Sequence, residues 1–279
     1  MTARPRPPLG LAALGFLELD PPSFVSVAAA AGFSSVTLRT RAATPGGVEH
    51  PVPAGGPLAR DTLARLRDTG VAATQIELIA LTRDLDPGRC RPMLEDGAAL
   101  GATRVVATGD DPDDAVVADR LAALCELAAG LGMVVDLEFM PFRCVATLPQ
   151  ALAVVRRAAQ PHARVMVDAL HLFRSGGSVA ALRAADPHAL GVCQLCDAPL
   201  AAPPAHLLAT EARERRLAPG LGELPLAELL RALPAGTRLA VEAPLAGDQA
   251  RSSAAVRARR LFEAGAALLD RVARAPGEA

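Results

Sequence analysis

Short apolar runs alternate with longer amphipathic runs along almost the whole chain. The apolar runs are β-rich and are bounded by turn residues, which is typical of buried parallel strands. The amphipathic runs are rich in Ala, Leu and Arg, and several are closed by the glycine that helix C-termini prefer. The predicted strands are 9–17, 33–39, 71–81, 104–108, 133–139, 164–168, 190–196 and 238–243. The predicted helices are 23–31, 58–68, 87–100, 109–132, 148–159, 179–185, 226–233 and 255–272.

Eight strands that alternate with eight helices predict an α/β fold, a (β/α)₈ TIM barrel. The chain has 279 residues, 51% of them hydrophobic, which suits one large barrel domain spanning 1–279. In such barrels the active site lies at the carboxyl ends of the strands. Two predicted irregular segments, 42–57 and 197–224, are long enough to act as lids over that end.

Four of the predicted strands carry an oxygen-bearing side chain at or near their ends: Glu138, Asp168, Gln194 and Glu242. A charged group within an apolar strand is costly to bury unless something neutralises it. In a barrel, these four side chains would meet at one point. Such an all-oxygen set predicts one divalent metal ion, Mn²⁺, Mg²⁺ or Co²⁺ rather than a cysteine-seeking Zn²⁺. The alternative is that each acid forms an ion pair with a neighbouring arginine.

Two further residues are candidates for substrate binding. His171 follows Asp168 by three residues, so we expect it to face the barrel mouth and to contact substrate; it could also orient a ligand or bind the metal itself. Arg216 lies in a Gly/Pro-containing segment, 215–223, which is either a lid that binds an anionic or hydroxylated substrate or a solvated loop. The CxxC motif at 193–196 lies in a predicted strand, where residues three apart point to opposite faces, so its cysteines are expected to fill the core.

The composition excludes several classes of partner and of chemistry. The net charge is −1 and the arginines are dispersed, so no nucleic acid is expected to bind. The absence of lysine excludes Schiff-base and phosphate-loop chemistry. No apolar run has the length of a membrane span, and acidic residues and two prolines directly follow the first apolar run, unlike a secretory signal. Five irregularly spaced cysteines indicate reduced thiols. We therefore expect a soluble, cytoplasmic protein that binds no membrane, whose oligomeric state stays open.

The set Glu138, Asp168-x-x-His171, Gln194 and Glu242, with the segment 216–222, resembles the xylose isomerase-like TIM-barrel superfamily, within it the sugar isomerases and epimerases. The resemblance implies that the strand-end set binds a divalent metal and that Glu138 and Glu242 also act as acid and base. It further implies that His171 and Arg216 contact substrate. Gln194 stands where many members have histidine. The three-zinc endonucleases of the superfamily are not a match, because their His-rich ligand set is missing.

The expected reaction is isomerisation or epimerisation of a sugar, a sugar phosphate or another small polyhydroxy carbonyl compound. A metal that holds a carbonyl and its neighbouring hydroxyl would stabilise the enediolate that forms when the α-proton leaves. Loss of a β-hydroxyl instead would make the protein a dehydratase of a cyclic polyol ketone of the inosose or 3-dehydroshikimate type. A barrel that binds a small molecule without turnover is a third alternative.

Overall fold

The computed structural model describes residues 6–43, 46–245 and 251–274. Its eight strands close into a barrel in sequence order, and each strand is parallel to its neighbours. The strands are β1 Leu9–Ala12, β2 Ser35–Arg39, β3 Ala72–Leu81, β4 Arg104–Gly109, β5 Val134–Glu138, β6 Ala163–Asp168, β7 Leu190–Leu195 and β8 Leu239–Val241. The predicted (β/α)₈ barrel is therefore confirmed.

Helices follow the strands and surround them. They are α1 Pro21–Ala31, α2 Pro57–Thr69, α3 Arg91–Ala99, α4 Asp114–Ala129, α5 Leu148–Ala158, α6 Ala169–Arg174, α7 Val179–Ala184, α8 Leu208–Glu214, α9 Leu226–Ala232 and α10 Ala254–Arg274. Short 3₁₀ turns cover Ala13–Phe16, Pro87–Cys90, Pro187–Ala189 and Ala205–Leu207. None of the helices in the described part of the chain has both the length and the apolar character needed to cross a membrane.

Local sequence sets the helix boundaries. At the start of α1, Asp20 accepts a hydrogen bond from the backbone N–H of Ser23, which satisfies one of the free donors of the first turn. The same helix ends at Gly32, whose φ of 105° is one that residues with a side chain rarely adopt. A Cβ at Gly32 would also lie 2.8 Å from the Phe262 ring. This glycine therefore serves both the helix end and the packing of α1 against α10.

Alternation along the strands separates the barrel interior from the layer under the helices. In β5, Val135 and Leu137 belong to the large core between strands and helices. Asp136 and Glu138, at the alternating positions, point the other way, into the barrel. Asp136 is fully buried and is neutralised by Arg104, whose Nε lies 2.6 Å from Asp136 Oδ2. The barrel interior therefore contains the Arg104–Asp136 ion pair, which lies below the carboxyl ends of the strands.

The structure corrects three details of the sequence prediction. The first strand ends at Ala12 rather than Leu17, because a 3₁₀ turn begins at Ala13. The segment 197–224, predicted as irregular, contains α8. A short helix, α6, that the sequence analysis did not predict begins directly after Asp168. Six and seven residues are too few for a clear 3.6-residue hydrophobic pattern, so sequence periodicity does not reveal these two helices.

The loop after β7 is tied to the barrel rather than free. Asp197 is 1% exposed, and its carboxylate accepts hydrogen bonds from the backbone N–H groups of Ala198, Gly220 and Leu224. Its own backbone exchanges two hydrogen bonds with Leu217. The part of the loop that carries Arg216 is thereby fixed against the end of β7. For the other predicted lid, residues 44 and 45 lie outside the described part of the chain.

Candidate active site

The four residues predicted as metal ligands lie side by side at the carboxyl ends of β5 to β8. Glu138 and Asp168 are the last residues of β5 and β6, Gln194 is the penultimate residue of β7, and Glu242 directly follows β8. Asp168 is paired in register with Gln194 across the two strands. All four residues are at most 5% exposed. Because parallel strands end at one rim, residues far apart in sequence are neighbours here.

His171 joins this group through α6. Its backbone N–H donates to Asp168 Oδ1 over 3.0 Å, so Asp168 caps the helix that carries the histidine. One ligand atom of each of Glu138, Asp168 and His171 lies within 4.8 Å of the others, and all three residues are buried. The distances suit three ligands of one cation. The histidine is therefore placed where it could be a ligand as well as a substrate contact.

Gln194 lies between Asp168 and Glu242. One end of its amide is 3.2 Å from Asp168 Oδ2 and 3.2 Å from Glu242 Oε2. With the nitrogen at that end, the amide donates a hydrogen bond to each carboxylate. With the oxygen there, three oxygens face one another, which is repulsive unless a cation lies among them. Rotation of the Gln194 amide by 180° therefore changes it from a hydrogen-bond donor to both carboxylates into a possible metal ligand.

Arg216 is buried to 1% exposure among the same carboxylates. Its Nη1 lies 2.5 Å from Asp168 Oδ2 and its Nη2 lies 3.2 Å from Glu242 Oε2. Nη1 also lies 3.2 Å from the backbone oxygen of Glu242 and 3.4 Å from Cys196 Sγ, and Nε donates to the backbone oxygen of Ala212. The guanidinium therefore locks Asp168 and Glu242 in place. Its predicted contact with substrate remains a prediction.

Removal of the Arg216 charge should destabilise the protein. In Arg216→Met, Asp168 and Glu242 lose the cation that lies between them, and breaking a buried ion pair costs about 3–5 kcal/mol of unfolding free energy. Urea unfolding in the presence of EDTA would measure this. The matched control is Arg215→Met, because Arg215 is the exposed neighbour and surface changes shift stability by about 0.5 kcal/mol or less. Equal midpoints for the two variants would contradict the role assigned to Arg216.

The charges at the mouth do not balance. Four buried carboxylates, those of Glu77, Glu138, Asp168 and Glu242, face only two buried guanidiniums, those of Arg39 and Arg216. Arg39 is paired with Glu77 over 3.1 Å, and Arg216 is closest to Asp168. Two negative charges, nominally those of Glu138 and Glu242, therefore lack a full counter-charge among the described residues. One divalent cation would supply it.

The pKa values of the three predicted acidic ligands reflect this imbalance. Burial and the charges of Glu242 and Asp168 raise the pKa of Glu138 well above its usual value. Burial raises the pKa of Glu242 to about 7, although Arg216 opposes the shift. Burial also works against ionisation of Asp168, but the charge and hydrogen bond of Arg216, together with the backbone N–H of His171, bring its pKa below the usual value. The surroundings of Asp168 therefore favour its ionised form, whereas those of the two glutamates favour the protonated form.

His171 is held in its neutral form. Burial lowers its pKa to about 4, against the attraction of Asp168. Its Nε2 lies 3.9 Å from Glu138 Oε1, and its buried Nδ1 has no hydrogen-bond partner among the described residues. The Phe142 ring meets the imidazole edge-on, with 5.5 Å between ring centroids. Depending on the tautomer, the free nitrogen of a neutral imidazole can accept one hydrogen bond from a ligand or donate one to it.

Arg39 and Glu77, an ion pair on β2 and β3, were not predicted from the sequence. Arg39 is the last residue of β2, and Glu77 lies opposite it in register on β3. Both line the same cavity as Glu138, His171 and Glu242. Each is a charged residue within an apolar strand, which is the feature that identified the other site residues. The prediction considered only the last four strands.

The residues at the mouth fit a divalent cation. Carboxylate and amide oxygens are ligands that Mg²⁺ and Mn²⁺ prefer, and a neutral imidazole adds a ligand that transition metals accept. Three features agree with such an ion: the excess of two negative charges at the mouth, the Nδ1 of His171 without a partner among the described residues, and the Gln194 amide, which can present its oxygen. The alternative, ion pairs between the acids and neighbouring arginines, accounts for Glu77 with Arg39 and for Asp168 and Glu242, which share Arg216. It leaves Glu138 without an arginine in the part of the chain that the structure describes.

Solved structures with the same fold were found by comparison, whereas no curated protein matches the chain. One is a fusion of a xylose isomerase-like TIM barrel with 4-hydroxyphenylpyruvate dioxygenase, 22% identical, TM-score 0.77, matched over 93% of this chain and 42% of that one. This chain thus spans less than half of the fusion protein. The IolI protein with a bound zinc atom is 19% identical, TM-score 0.77, over 95% and 98% of the two chains. A D-allulose 3-epimerase from Methylomonas sp., in complex with D-allulose, is 17% identical, TM-score 0.69, over 97% and 99%.

The family comparison covers most of the chain. Residues 25–261 match the family described as xylose isomerase-like TIM barrel, a range that includes every residue of the predicted metal and substrate site. The closed eight-stranded barrel agrees with this match. The resemblance inferred from the strand-end residues is therefore confirmed, and the chain belongs to the xylose isomerase-like TIM-barrel family.

Proposed function

We propose that this protein is a metal-dependent isomerase or epimerase of a small polyhydroxy carbonyl compound, and that it acts by moving the proton next to the carbonyl. The observation that carries the proposal is the pair of buried glutamates without full counter-charge, Glu138 and Glu242, beside the Asp168 and Gln194 oxygens. Two such groups at a cavity wall lower the stability of the folded protein. Proton transfer is the function that uses them.

The cation would be held by Glu138, Asp168, Gln194 and Glu242, and its chemistry is electrophilic, since it draws electron density from a carbonyl and a neighbouring hydroxyl. Mn²⁺, Mg²⁺ and Co²⁺ suit an oxygen set better than Zn²⁺ does. The zinc atom in the IolI structure supports a divalent metal in this fold without fixing its identity here. The raised pKa values of the two glutamates describe the protein without that cation.

Glu138 and Glu242 are the proposed acid and base. They project from β5 and β8, which are three strands apart in the ring, so they approach a bound carbon chain from different sides. One removes the proton next to the carbonyl, and the other returns a proton. Return to the opposite face of the same carbon gives an epimer, and return to the adjacent carbon gives the isomeric aldose or ketose. Each carboxylate can accept a proton and, once protonated, donate it, as general acid–base catalysis requires.

His171 and Arg216 have different proposed tasks. The free Nδ1 of His171 and its neutral state suit a hydrogen bond with a substrate hydroxyl or carbonyl. Arg216 keeps Asp168 and Glu242 in position through its two Nη atoms, and we propose that it contacts a substrate oxygen when one enters. The sugar bound by the D-allulose 3-epimerase of the same fold supports a substrate of this class. A cytoplasmic location fits such a substrate.

Solvent exchange tests the proposal most directly. We expect that incubating the protein with Mn²⁺ and a panel of ketoses and cyclic ketones in D₂O will place deuterium at the carbon next to the carbonyl, as mass spectrometry can detect. Ultraviolet absorbance of a conjugated product would instead identify the dehydratase alternative. A ligand that binds with neither exchange nor new absorbance would identify a binding protein and overturn the proposal. Heat-denatured protein with the same Mn²⁺ is the control for metal-catalysed exchange.

A further inference from the structure

Arg39 faces the proposed metal ligands across the barrel. It ends β2, which lies four strands away from β6 in the closed ring, and β6 ends at Asp168. Its side chain lines the same cavity as Glu138 and Glu242 and is 9% exposed. The proposed proton transfer does not use it. A buried arginine at the wall of a cavity requires a reason other than the reaction itself.

Glu77 orients the Arg39 guanidinium and leaves its outer edge free. Arg39 Nε donates to Glu77 Oε1 over 3.1 Å. The two terminal nitrogens, Nη1 and Nη2, make no hydrogen bond with any residue in the described part of the chain, and they are not among its fully buried unpaired atoms. They are therefore open to the cavity. A guanidinium held at one edge presents paired donors that match the two oxygens of a carboxylate.

The charge at the mouth favours an anion once a cation is bound. A divalent cation balances the excess of two negative charges described above, and Arg143 is already paired with Asp110 over 3.0 Å. Arg213, at the cavity rim, stacks over the Phe142 ring at 5.7 Å and has no carboxylate partner among the described residues. One positive charge is then in excess. That charge suits a ligand with a single negative charge.

The cavity size limits the anion to a compact group. The space between Arg39, Glu138, His171 and Glu242 has a volume of about 60 Å³. This volume is small, so a compact anionic group is favoured. A planar carboxylate on a short hydroxylated chain matches this size better than a phosphate, which is larger and carries up to two negative charges.

From these contacts we infer that Arg39 recognises a carboxylate of the substrate, which makes the substrate class a short hydroxy-keto acid or sugar acid rather than a neutral ketose. The inference rests on the proposed function for the location of the reacting end, at Glu138 and Glu242. Arg39 is then the residue that fixes which end of the substrate faces the two glutamates.

Binding of matched three-carbon probes tests the inference. Calorimetric titration of the Mn²⁺-loaded protein with glycerate and with glycerol compares an acid with its neutral counterpart. We expect glycerate to bind at least about tenfold more tightly, since a charged hydrogen-bonded pair contributes about 1.5–3 kcal/mol. Arg39→Gln should remove this preference and leave the affinity for glycerol unchanged. Arg39→Lys should keep only part of it, because an ammonium cannot form the paired contact.

Two further variants separate recognition from folding and from general charge. Arg67→Gln changes the net charge equally but lies exposed in the last turn of α2, at the other end of the barrel, so it should keep the full preference for glycerate. The double variant Arg39→Gln/Glu77→Gln removes both charges of the buried pair. It should fold even if Arg39→Gln alone, which leaves Glu77 unpaired, does not. Circular dichroism melting checks each fold.

The outcomes distinguish this inference from the proposed function. A preference for glycerate that survives Arg39→Gln, or survives in the double variant, would show that the carboxylate binds elsewhere, for example to the metal, and would overturn the inference. Tighter binding of glycerol 3-phosphate than of glycerate would overturn the carboxylate class. A protein that prefers glycerate through Arg39 but never exchanges substrate protons with D₂O would retain this inference and remove the proposed function.

Discussion

Glu242→Gln should lower the rate of substrate proton exchange by at least about a hundredfold while the protein stays folded, since general acid–base groups contribute about 10²–10⁴-fold. The amide keeps the size of the side chain and can still bond to Gln194 and Arg216, but it cannot accept a proton from carbon. Because the mouth carries an excess of negative charge, removal of one buried charge should also offset the loss of the carboxylate partner of Arg216. Deuterium incorporation per unit time, with far-ultraviolet circular dichroism on the same sample, measures both effects.

The matched control for Glu242→Gln is Glu263→Gln, the same chemical change on the exposed face of α10. It should exchange protons at the wild-type rate. Glu138→Gln should behave like Glu242→Gln, because return of the proton needs the second group. Wild-type exchange by Glu242→Gln, with the fold intact, would mean that Glu242 is not part of the proton path.

Removal of divalent metal should abolish the activity and also lower the melting temperature. Dialysis against EDTA would leave the two buried glutamates without their counter-charge, so the native state should lose stability as well as its electrophile. A ligand present at a hundred times its dissociation constant stabilises the native state by about 2.7 kcal/mol. Addition of Mn²⁺, Co²⁺ or Mg²⁺ should restore both quantities, which activity assays and differential scanning calorimetry can follow.

The control for metal removal uses the ligands themselves. In Asp168→Asn the firm anion of the site is lost, so the melting temperature should respond much less to Mn²⁺ than in the wild type. Glu263→Gln should respond fully. If EDTA changes neither activity nor melting temperature, and metal analysis finds no bound ion, then Arg216 is the resident cation of the site and the metal proposal is wrong.

Much of the candidate site could be read from single strands. Glu138 and Asp168 each end a Val-rich apolar run, and in a parallel barrel all strand ends meet at one rim, so their proximity follows from counting strands. Gln194 and Glu242 follow from the same argument. Cys196 follows Gln194 by two residues, and its Sγ lies 3.4 Å from Arg216 Nη1, so this cysteine also faces inward. The family match, too, agrees with the resemblance drawn from these residues.

Other features depend on contacts between distant segments. From the sequence alone, Arg216 lies in a loop where it could face solvent or bind substrate. In the folded chain, the backbone N–H groups of Gly220 and Leu224 donate to the Asp197 carboxylate and help to fix that loop. The guanidinium then lies between Asp168 and Glu242. Short helices such as α6 and α8 have too few residues for a periodic signal. The position of α6 depends on its Asp168 cap, and both helices depend on packing against the rest of the barrel.

By itself, the sequence determined the barrel and the rim where its chemistry lies, because hydrophobic alternation and strand order are local properties that any parallel barrel converts into one shared edge. The tertiary structure alone decided how charges at that edge are shared: Arg216 with Asp168 and Glu242, Arg39 with Glu77, and Glu138 with no arginine among the residues that the structure describes. The physical reason is that a buried charge is stabilised by what lies within a few ångströms of it. Those distances exist only after the chain has folded.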